Sequence, residues 1–501
     1  MQFGSLIPAG MIAVGTYELL AIKFAAEGGF RHPVRLSKRL DTMSGLSRRS
    51  FLVGSATAVA APSLVRAQGS ADLDVAIIGA GAAGIAAARR IAAANRRFVL
   101  LEASDRIGGR CVTDTTTFGV PFDLGAHWIH RPDGSLLTGS AQATAVEIYP
   151  APRGQTVRVG PRNARDSELE TFVPSLVRAR RAIVDAGRGR ADGSAARVLP
   201  TDLGDWRSTI EFVLGPFACS KDLASVSAVD LARVPERDND AFCRQGYGAL
   251  IAKLAAGLPI RLSSPVTRIE WDRHGVEIVT AKGQLRARSA IVTVSTNVLT
   301  SGKITFKPEI ARRQLDAAAA LSLGSYDHIA LDIPRNPMNL QRDDLVFEKS
   351  TGNRTAALLA NVSGSSLQMV EVAGDFGREL SAKGEATMVE FAREWIASLF
   401  GTNAKSAIKR SFATRWNEDP FVFGAMSVAA PGSADARKIL AEPFAGRVWL
   451  AGEALHETQW GTVNGAWESG QRTAEAALRQ LGALKAPEDE KPAQRSRKRH
   501  R

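Results

Sequence analysis

A strand, a glycine-rich turn and a helix succeed one another in the stretch LDVAIIGAGAAGIAAARRI, residues 73–91. The apolar run before the turn predicts a buried strand, and the alanine-rich run after it predicts a helix. The turn reads G-x-G-x-x-G, with glycines at Gly79, Gly81 and Gly84. The first glycine permits the tight turn, the second lets a pyrophosphate approach the backbone, and the third lets the helix pack on the strand. Because the helix N-terminus also offers free N–H groups to phosphates, this stretch predicts a dinucleotide-binding unit.

A second predicted strand, RFVLLE, ends at Glu102, 18 residues after Gly84. A carboxylate at this place hydrogen-bonds the ribose hydroxyls of an adenosine and disfavours a 2′-phosphate. The glycine pattern alone is a weak signal, but strand, glycines, helix, second strand and terminal acid together are strong. They predict a Rossmann-type α/β domain.

Charge and length narrow the remaining possibilities. At 501 residues, the chain is long enough for two or more domains. Its net charge of +13 suggests a nucleic-acid partner, but residues 1–67 contribute +5 and residues 485–501 contribute +4. The long stretch between them is nearly balanced, so we expect no nucleic-acid site and a disordered basic tail at 485–501. The three cysteines are widely spaced without a zinc pattern, so no metal site is expected.

The segment SRRSFLVGSATAVAAPSLVRA, residues 47–67, resembles a twin-arginine export signal. Arg48 and Arg49 precede a mildly apolar stretch that ends in a small-x-small cleavage site. We therefore expect residues 43–67 to be a signal peptide recognised by the twin-arginine export machinery, and the mature protein to be periplasmic or secreted. Residues 1–42 are interpreted as an upstream extension before Met43. The rival reading is an apolar segment at 6–22, which is short for a membrane span and contains a glutamate, so no stable membrane insertion is expected.

The residues after Glu102 identify a family. EASDRIGGR contains Arg106, Gly108, Gly109 and Arg110, and resembles the Arg-x-Gly-Gly-Arg motif of glutathione-reductase-like flavoproteins, in their amine oxidase branch. In that family the glycines let FAD pass closely, and an arginine contacts its phosphates or ring edge. The resemblance therefore implies FAD as the cofactor.

Other segments of that family follow in order along the chain. FDLGAHWIH, residues 122–130, resembles the segment near the flavin. LSSPVTRIEW, residues 262–271, resembles the strand whose valine, here Val266, contacts adenine through its backbone. VWLAGEALHETQWGTVNGAWESGQRTAEAAL, residues 448–478, resembles the closing FAD motif. In this motif Gly452 and Glu453 would meet the ribitol-phosphate region, and Thr462 and Val463 would meet the flavin ring.

The resemblance implies a fold of class α/β. It combines a glutathione-reductase-like FAD-binding Rossmann domain with a substrate domain of α+β type that contains a mixed sheet. The FAD-binding domain would be discontinuous and would comprise residues 71–150, 240–300 and 425–484. The substrate domain would take residues 151–239 and 301–424, with the substrate cavity where the two domains meet.

The family reaction transfers a hydride equivalent from the carbon next to an amine to the flavin. The resulting imine hydrolyses, and dioxygen reoxidises the flavin and yields hydrogen peroxide. We therefore expect a primary or secondary amine, such as a polyamine or monoamine, as substrate. Monoamine oxidases tether flavin through a cysteine, but Ala425 or Met426 stands at the matching place here, so the FAD is expected to be non-covalent.

Several side chains are candidates for the substrate site. Trp128, Met426 and Trp460 are expected to contact the substrate. For the two tryptophans, packing in the core is an equal alternative. His130 matches the histidine of Trp-Ile-His in animal polyamine oxidases and is a candidate for binding or proton transfer. Its alternative role is that of a hydrogen-bonded loop histidine.

His328 occupies a more specific place. In GSYDHIALDI, residues 324–333, the two-residue period puts Ile329 on one strand face and His328 with Ala330 on the other. The family usually carries a lysine here, which holds a water against flavin N5 and is tied to oxygen reactivity. We therefore expect His328 to face the flavin and to be catalytic, with oxygen reactivity that is slower or dependent on pH.

Other functions stay open on the sequence alone. An L-amino-acid oxidase or a tryptophan 2-monooxygenase would bind the substrate carboxylate through an arginine fork, for which Arg131 and Arg415 are candidates. A flavin desaturase or dehydrogenase, or a flavin-binding protein without oxidase turnover, shares the first FAD motif. Amine and amino-acid panels with a peroxide readout separate these alternatives.

Overall fold

The apolar strands and amphipathic helices indicated by the sequence are assembled around two large sheets. The computed structural model describes residues 73–484, with gaps at 134, 142–143, 153, 190 and 236–238. The upstream extension, the export signal and the basic tail lie outside the described residues and stay predictions. Within the described part of the chain, none of the helices has both the length and the apolar character that a membrane crossing needs.

The strands are, in chain order, β1 (Leu73–Ile78), β2 (Phe98–Leu101), β3 (Thr113–Asp114), β4 (Phe122–Asp123), β5 (Ile129–His130), β6 (Ile148–Pro150), β7 (Gln155–Val159), β8 (Arg162–Asn163), β9 (Asp240–Cys243), β10 (Ile260–Arg261), β11 (Val266–Trp271), β12 (Val276–Thr280), β13 (Gly283–Val292), β14 (Thr305–Lys307), β15 (Tyr326–Asp332), β16 (Leu345–Glu348), β17 (Ala357–Leu359), β18 (Leu367–Ala373), β19 (Arg410–Ala413) and β20 (Val448–Leu450).

The α-helices are α1 (Ala82–Ala93), α2 (Leu136–Ala141), α3 (Asp166–Ala186), α4 (Arg207–Phe212), α5 (Ala228–Ala232), α6 (Tyr247–Leu254), α7 (Thr296–Thr300), α8 (Arg312–Ala320), α9 (Gly374–Ala382), α10 (Glu385–Phe400), α11 (Thr402–Ser406), α12 (Ala436–Leu440) and α13 (Val463–Gln480). A π-helical turn, Val213–Phe217, follows α4 directly.

The first sheet carries the glycine-rich turn and has the strand order β10-β2-β1-β13-β12-β11-β14, with β20 also paired to β13. β1 is an interior strand of this sheet and pairs in parallel with β2 and β13. Both faces of β1 are covered, since Val75 and Ile77 join one apolar core and Ala76 and Ile78 join another. A strand buried on both faces reads as a continuous apolar run, which is why the sequence identified it.

The second sheet has the order β19-β15-β18-β17-β16-β7-β8 and is mixed, because β16 and β7 are parallel while the other pairs are antiparallel. Ile329 and Leu331 of β15 pack with Trp395 of α10 in the core on one face. Ala330 packs on the other face with Phe122 and Phe242. The predicted fold class, a Rossmann-like FAD domain with a mixed sheet, is therefore confirmed.

One strand departs from the predicted domain segments. β14, residues Thr305–Lys307, pairs in parallel with β11 in the first sheet, although we placed residues 301–424 in the substrate domain. After α7 the chain returns to the first sheet, where β14 is held by its hydrogen bonds to β11. The remaining domain boundaries stay predictions.

Candidate active site

The glycine-rich turn after β1 leaves open space beside its backbone. Gly79 has a φ of +103°, which disfavours any other residue. A Cβ added at Gly84 would lie 1.8 Å from the carbonyl oxygen of Gly79, so the helix can approach the strand only with glycine there. A Cβ at Gly81 would meet nothing within 4 Å. Gly81 is also the N-cap of α1 and makes no side-chain cap, so the free N–H groups of the helix are available to a phosphate.

The Arg-x-Gly-Gly-Arg loop lies directly against that turn. Gly108 donates its N–H to the carbonyl of Ala80 over 2.8 Å and forms a parallel bridge with Gly81. A Cβ at Gly109 would lie 3.4 Å from the Cα of Gly81. Arg106 is held inside the loop by a 2.8 Å hydrogen bond to the carbonyl of Gly109. The sequence shows only that the Arg-x-Gly-Gly-Arg loop follows the glycine-rich turn along the chain. In the structure the two motifs lie against each other and form one surface.

Glu102 lies at the same turn and is buried. Its Oε2 accepts the N–H of Ala80 over 2.7 Å, and its Oε1 accepts the N–H and the hydroxyl of Ser104 over 2.9 Å each. These bonds fix the carboxylate beside the turn, and its remaining lone pairs can accept further donors. Its predicted bond to ribose hydroxyls stays a prediction.

The closing motif joins this surface through Glu453. Glu453 is buried and accepts hydrogen bonds from Arg110 over 3.0 Å, from the Ser427 hydroxyl over 2.6 Å and from the N–H of Gly461 over 2.8 Å. Arg110 also donates to the carbonyl of Ala425. Burial alone would raise the pKa of the Glu453 carboxyl, but Arg110 and the Ser427 hydroxyl outweigh it and the pKa is lowered. A fixed anion therefore ties the Arg110 loop to the Gly452–Glu453 turn.

Beneath Glu453 lies a buried ion pair that the sequence did not indicate. Arg437 of α12 donates to both carboxylate oxygens of Asp230 in α5, with Nη2 at 2.7 Å and Nε at 2.9 Å. The same guanidinium donates to the Ser427 hydroxyl over 3.1 Å and lies 4.7 Å above the ring of Trp460. Asp230 and Arg437 are 207 positions apart and lie in unremarkable local sequence, so no spacing could have found them.

The remaining cofactor candidates are positioned by strand and helix ends. Thr462 is the N-cap of α13, and its hydroxyl accepts the N–H of Gly465 over 2.9 Å while it donates to the carbonyl of Gln459 over 2.7 Å. Val463 begins that helix, and a Cβ at Gly452 would meet nothing within 4 Å. Val266 is buried at the start of β11. Their predicted contacts with the flavin and adenine stay predictions.

The three predicted substrate contacts have different environments. Trp460 is only 1% exposed and packs in an apolar core under Arg437, which favours its alternative role in core packing, while its contact with the substrate stays a prediction. Trp128 is half-buried and lies edge-on to Phe242 at 4.7 Å between ring centroids. Met426 is also half-buried and packs against Gly461, where an added Cβ would lie 3.2 Å from its sulfur. Trp128 and Met426 remain candidates.

Two histidines of the 122–130 segment are anchored by aspartates. His130 of β5 lies opposite Asp240 of β9, and its Nδ1 is 2.9 Å from that carboxylate. Its role in binding or proton transfer stays a prediction. His127, which the sequence analysis did not single out, is buried with its Nδ1 2.8 Å from Oδ2 of Asp123. The four-residue spacing of Asp123 and His127 was a visible signal, and the Nε2 of His127 has no hydrogen-bond partner among the described residues.

His328 is buried rather than open to a cavity. It is 3% exposed, and its Nδ1 lies 2.9 Å from the carbonyl oxygen of Asp123. Burial lowers the pKa of His328 to about 4, so the imidazole is neutral at pH 7. Its cross-strand neighbour in β18 is Glu371, whose Oε1 is 3.8 Å from the Nε2 of His328. The predicted contact between His328 and the flavin stays a prediction, and Glu371 is a neighbour that the sequence did not indicate.

Comparison with known proteins places the chain in a family. The family described as "Flavin containing amine oxidoreductase" matches residues 82–478. Lysine-specific histone demethylase 2 of Homo sapiens is 27% identical over 438 residues, which cover 80% of this chain and 53% of that protein. Polyamine oxidase 4 of Oryza sativa subsp. japonica is 25% identical over 451 residues, which cover 81% of this chain and 89% of that protein. The chain spans about half the length of the demethylases that it matches.

Solved structures agree on the fold. The cyclohexylamine oxidase of Brevibacterium oxydans IH-35A superposes with a TM-score of 0.70 at 21% identity, and the match covers 82% of this chain and all of that one. A wild-type putrescine oxidase bound to putrescine superposes with a TM-score of 0.70 at 18% identity, and the match covers 81% of this chain and 99% of that one.

The family match spans most of the chain, and the solved structures share its fold. The chain belongs to the flavin containing amine oxidoreductase family. The open backbone at Gly81 and Gly452, next to an unused helix N-terminus, fits a flavin dinucleotide.

Proposed function

We propose that this protein oxidises a primary or secondary alkylamine, a monoamine or polyamine, with dioxygen as the electron acceptor and hydrogen peroxide as a product. The bound flavin supplies the two-electron oxidation of the carbon next to nitrogen. The turn at Gly79–Gly84, the loop at Arg106–Arg110 and the closing motif at Gly452–Val463 would hold the FAD. The family assignment and the convergence of these segments support the proposal.

The placement of two arginines favours an amine over an amino acid. An amino-acid substrate needs an arginine fork for its carboxylate inside the site. Arg131 and Arg415 were the candidates, and both side chains lie in exposed positions. Arg415 also donates through Nε to the carbonyl of Ser381 over 2.9 Å, which directs it away from such a role. This observation carries the choice of substrate class.

The FAD is proposed to be non-covalent. Cys111, Cys219 and Cys243 form no disulfide and are buried, and none lies at the position that a flavin tether occupies in monoamine oxidases. Burial raises the pKa of the Cys111 thiol well above its usual value and that of Cys243 to about 12, so both stay protonated and are weak nucleophiles.

The experiment is a substrate panel on protein that lacks residues 1–67 and is loaded with FAD. Peroxide release is measured with matched pairs of an amine and the amino acid that carries the same side chain. Peroxide from the amines and not from the amino acids supports the proposal. Peroxide from the amino acids alone would favour the amino-acid oxidase, and a bound flavin with no turnover on either set would contradict oxidase function.

We also propose export through the twin-arginine pathway, on the strength of residues 47–67. Replacing Arg48 and Arg49 together by lysine should retain the protein in the cytoplasm, and a single replacement elsewhere in residues 1–42 should not. N-terminal sequencing of the precursor tests the start at Met43, because a peptide from residues 1–42 would contradict it.

A further inference from the structure

Two buried side chains face each other across neighbouring strands of the second sheet. His328 of β15 and Glu371 of β18 are direct partners in the antiparallel register. Their side chains are 4% and 1% exposed, and Nε2 of the imidazole lies 3.8 Å from Oε1 of the carboxylate. That separation is too long for a hydrogen bond between them, so both atoms can still bond to a third group.

The tautomer of His328 determines what that group must be. A backbone carbonyl can only accept, so the Nδ1 that lies 2.9 Å from the carbonyl oxygen of Asp123 carries the hydrogen. Because the imidazole is neutral, its Nε2 presents a lone pair toward Glu371. An imidazole lone pair and a carboxylate are both acceptors. A group with two N–H bonds would satisfy both.

The surroundings leave the carboxylate without a cation. Neither oxygen of Glu371 has a donor in good hydrogen-bond geometry among the described residues, although Tyr326 and the indole of Trp128 lie close enough to lower the pKa of this carboxyl through side-chain hydrogen bonding. The titratable neighbours that face it are Tyr326 and His328 from β15 and His127 from the loop before β5, while its partner on β17 is Ala357. A buried carboxylate without a counter-ion is costly, and such a group is a candidate for function.

Aromatic rings flank the same place. The ring of Tyr326 lies 5.9 Å from that of His328. Phe217, at the end of the π-helical turn, lies 6.4 Å from Tyr326 and 5.0 Å from Phe347. Tyr326, Phe217 and Trp128 are only half-buried, and aromatic faces attract cations. The π-helical turn thus places the ring of Phe217 next to that of Tyr326, and turns of this kind often occur at functional sites.

We propose that Glu371 receives the ammonium group of the substrate and takes one proton from it, while His328 accepts a second N–H. The inference rests on the proposed amine oxidation. The transfer converts an ammonium and a carboxylate into a neutral amine and a carboxylic acid. The nitrogen lone pair that is released would form the carbon–nitrogen double bond as the neighbouring C–H bond breaks and its hydride passes to the flavin that the proposed function requires. Glu371 thereby makes the reactive neutral amine available at a pH where the free substrate is cationic.

The test is the pH dependence of kcat/KM for an alkylamine in Glu371→Gln, which keeps the shape but cannot take the proton. General base catalysis is worth on the order of 100-fold, so we expect kcat/KM to fall about 100-fold at pH 7. Because a primary alkylamine ionises near pH 10, as lysine does, free amine is then abundant and the defect should shrink below about 10-fold at pH 10. Glu371→Asp should recover part of the rate at pH 7.

The matched control is Glu348→Gln in β16 of the same sheet. Oε1 of Glu348 accepts hydrogen bonds from Thr355 and Trp395, which a glutamine oxygen can still accept. This variant should behave as wild type at both pH values. If the wild type is active and Glu371→Gln has no defect, or has the same defect at pH 7 and pH 10, the role of Glu371 is overturned but the proposed function is not. A wild type that is silent with every amine would overturn both this role and the proposed function.

Discussion

The buried pair of Asp230 and Arg437 gives the sharpest test of how the closing motif is held. Asp230→Asn removes the negative charge while it keeps the size of the side chain. Arg437, whose side chain is 1% exposed, would then remain buried without its counter-ion. Its bonds to the hydroxyl and carbonyl of Ser427 and to the carbonyl of Ala454 would remain, but none of these acceptors carries a negative charge.

The magnitude follows from that burial. Removing one partner of a buried ion pair costs about 3–5 kcal/mol, and the asparagine oxygen can still accept one N–H, so we expect about 3 kcal/mol. That is a large part of the stability of an ordinary domain, which is roughly 5–15 kcal/mol. The exposed pair of Arg313 and Glu442 is the control, since its side chains are 61% and 50% exposed. Arg313→Gln should cost less than about 1 kcal/mol.

Urea unfolding followed by tryptophan fluorescence and by flavin release measures both effects. In Asp230→Asn the flavin should be released at lower urea than in the wild type, because Ser427 connects Arg437 to Glu453. If Asp230→Asn unfolds within about 1 kcal/mol of the wild type and keeps its flavin, the ion pair does not support the closing motif and the reasoning fails.

Three further outcomes can be checked on purified protein. Gly84→Ala should lower the flavin content at least tenfold, because its Cβ would lie 1.8 Å from the carbonyl oxygen of Gly79. The control Gly139→Ala, which has open space around it, should keep the flavin. Equal absorbance of the two variants at 450 nm would contradict this expectation. Burial raises the pKa of Glu371 from 4.5 to about 7. As the pH rises, the unfolded chain therefore loses this proton before the folded protein does. The free energy of unfolding of the wild type should then fall by about 3 kcal/mol between pH 4.5 and 7. In Glu371→Gln, the free energies of unfolding measured in urea at pH 5 and pH 8 should no longer show this decrease. The same decrease in the variant as in the wild type would contradict the assignment to Glu371. Acid precipitation should leave all of the FAD in the supernatant, whereas flavin in the protein pellet would indicate a covalent bond.

Local patterns predicted the strand, the glycine-rich turn and the helix of the first motif well, because the requirements of such a unit are local. A buried strand, a turn that admits only glycine and a helix N-terminus are fixed by adjacent residues, so Gly79, Gly81 and Gly84 could be assigned from spacing. The apolar period of residues 386–400 likewise predicts an amphipathic helix, and this helix is α10 in the structure. The fold class followed from these elements together with the family resemblance.

What the sequence could not predict depends on contacts between distant segments. Asp230 meets Arg437, and Glu371 meets His328, only because the sheets and α12 bring them together. For Trp460 the sequence left a substrate wall and core packing open, and only the structure shows its burial beneath Arg437, which favours core packing. Pairings of this kind follow from tertiary packing, which neither a period nor a motif encodes.

The central claim is that this chain oxidises amines through a bound flavin. Anaerobic mixing of the FAD-loaded protein with an alkylamine, followed at 450 nm, tests it without depending on oxygen reactivity. We predict that the flavin is bleached by the amine in one turnover, that it is not bleached by the amino acid with the same side chain, and that admitting oxygen restores the colour and releases peroxide. Flavin that stays oxidised with every amine in the panel would contradict the claim.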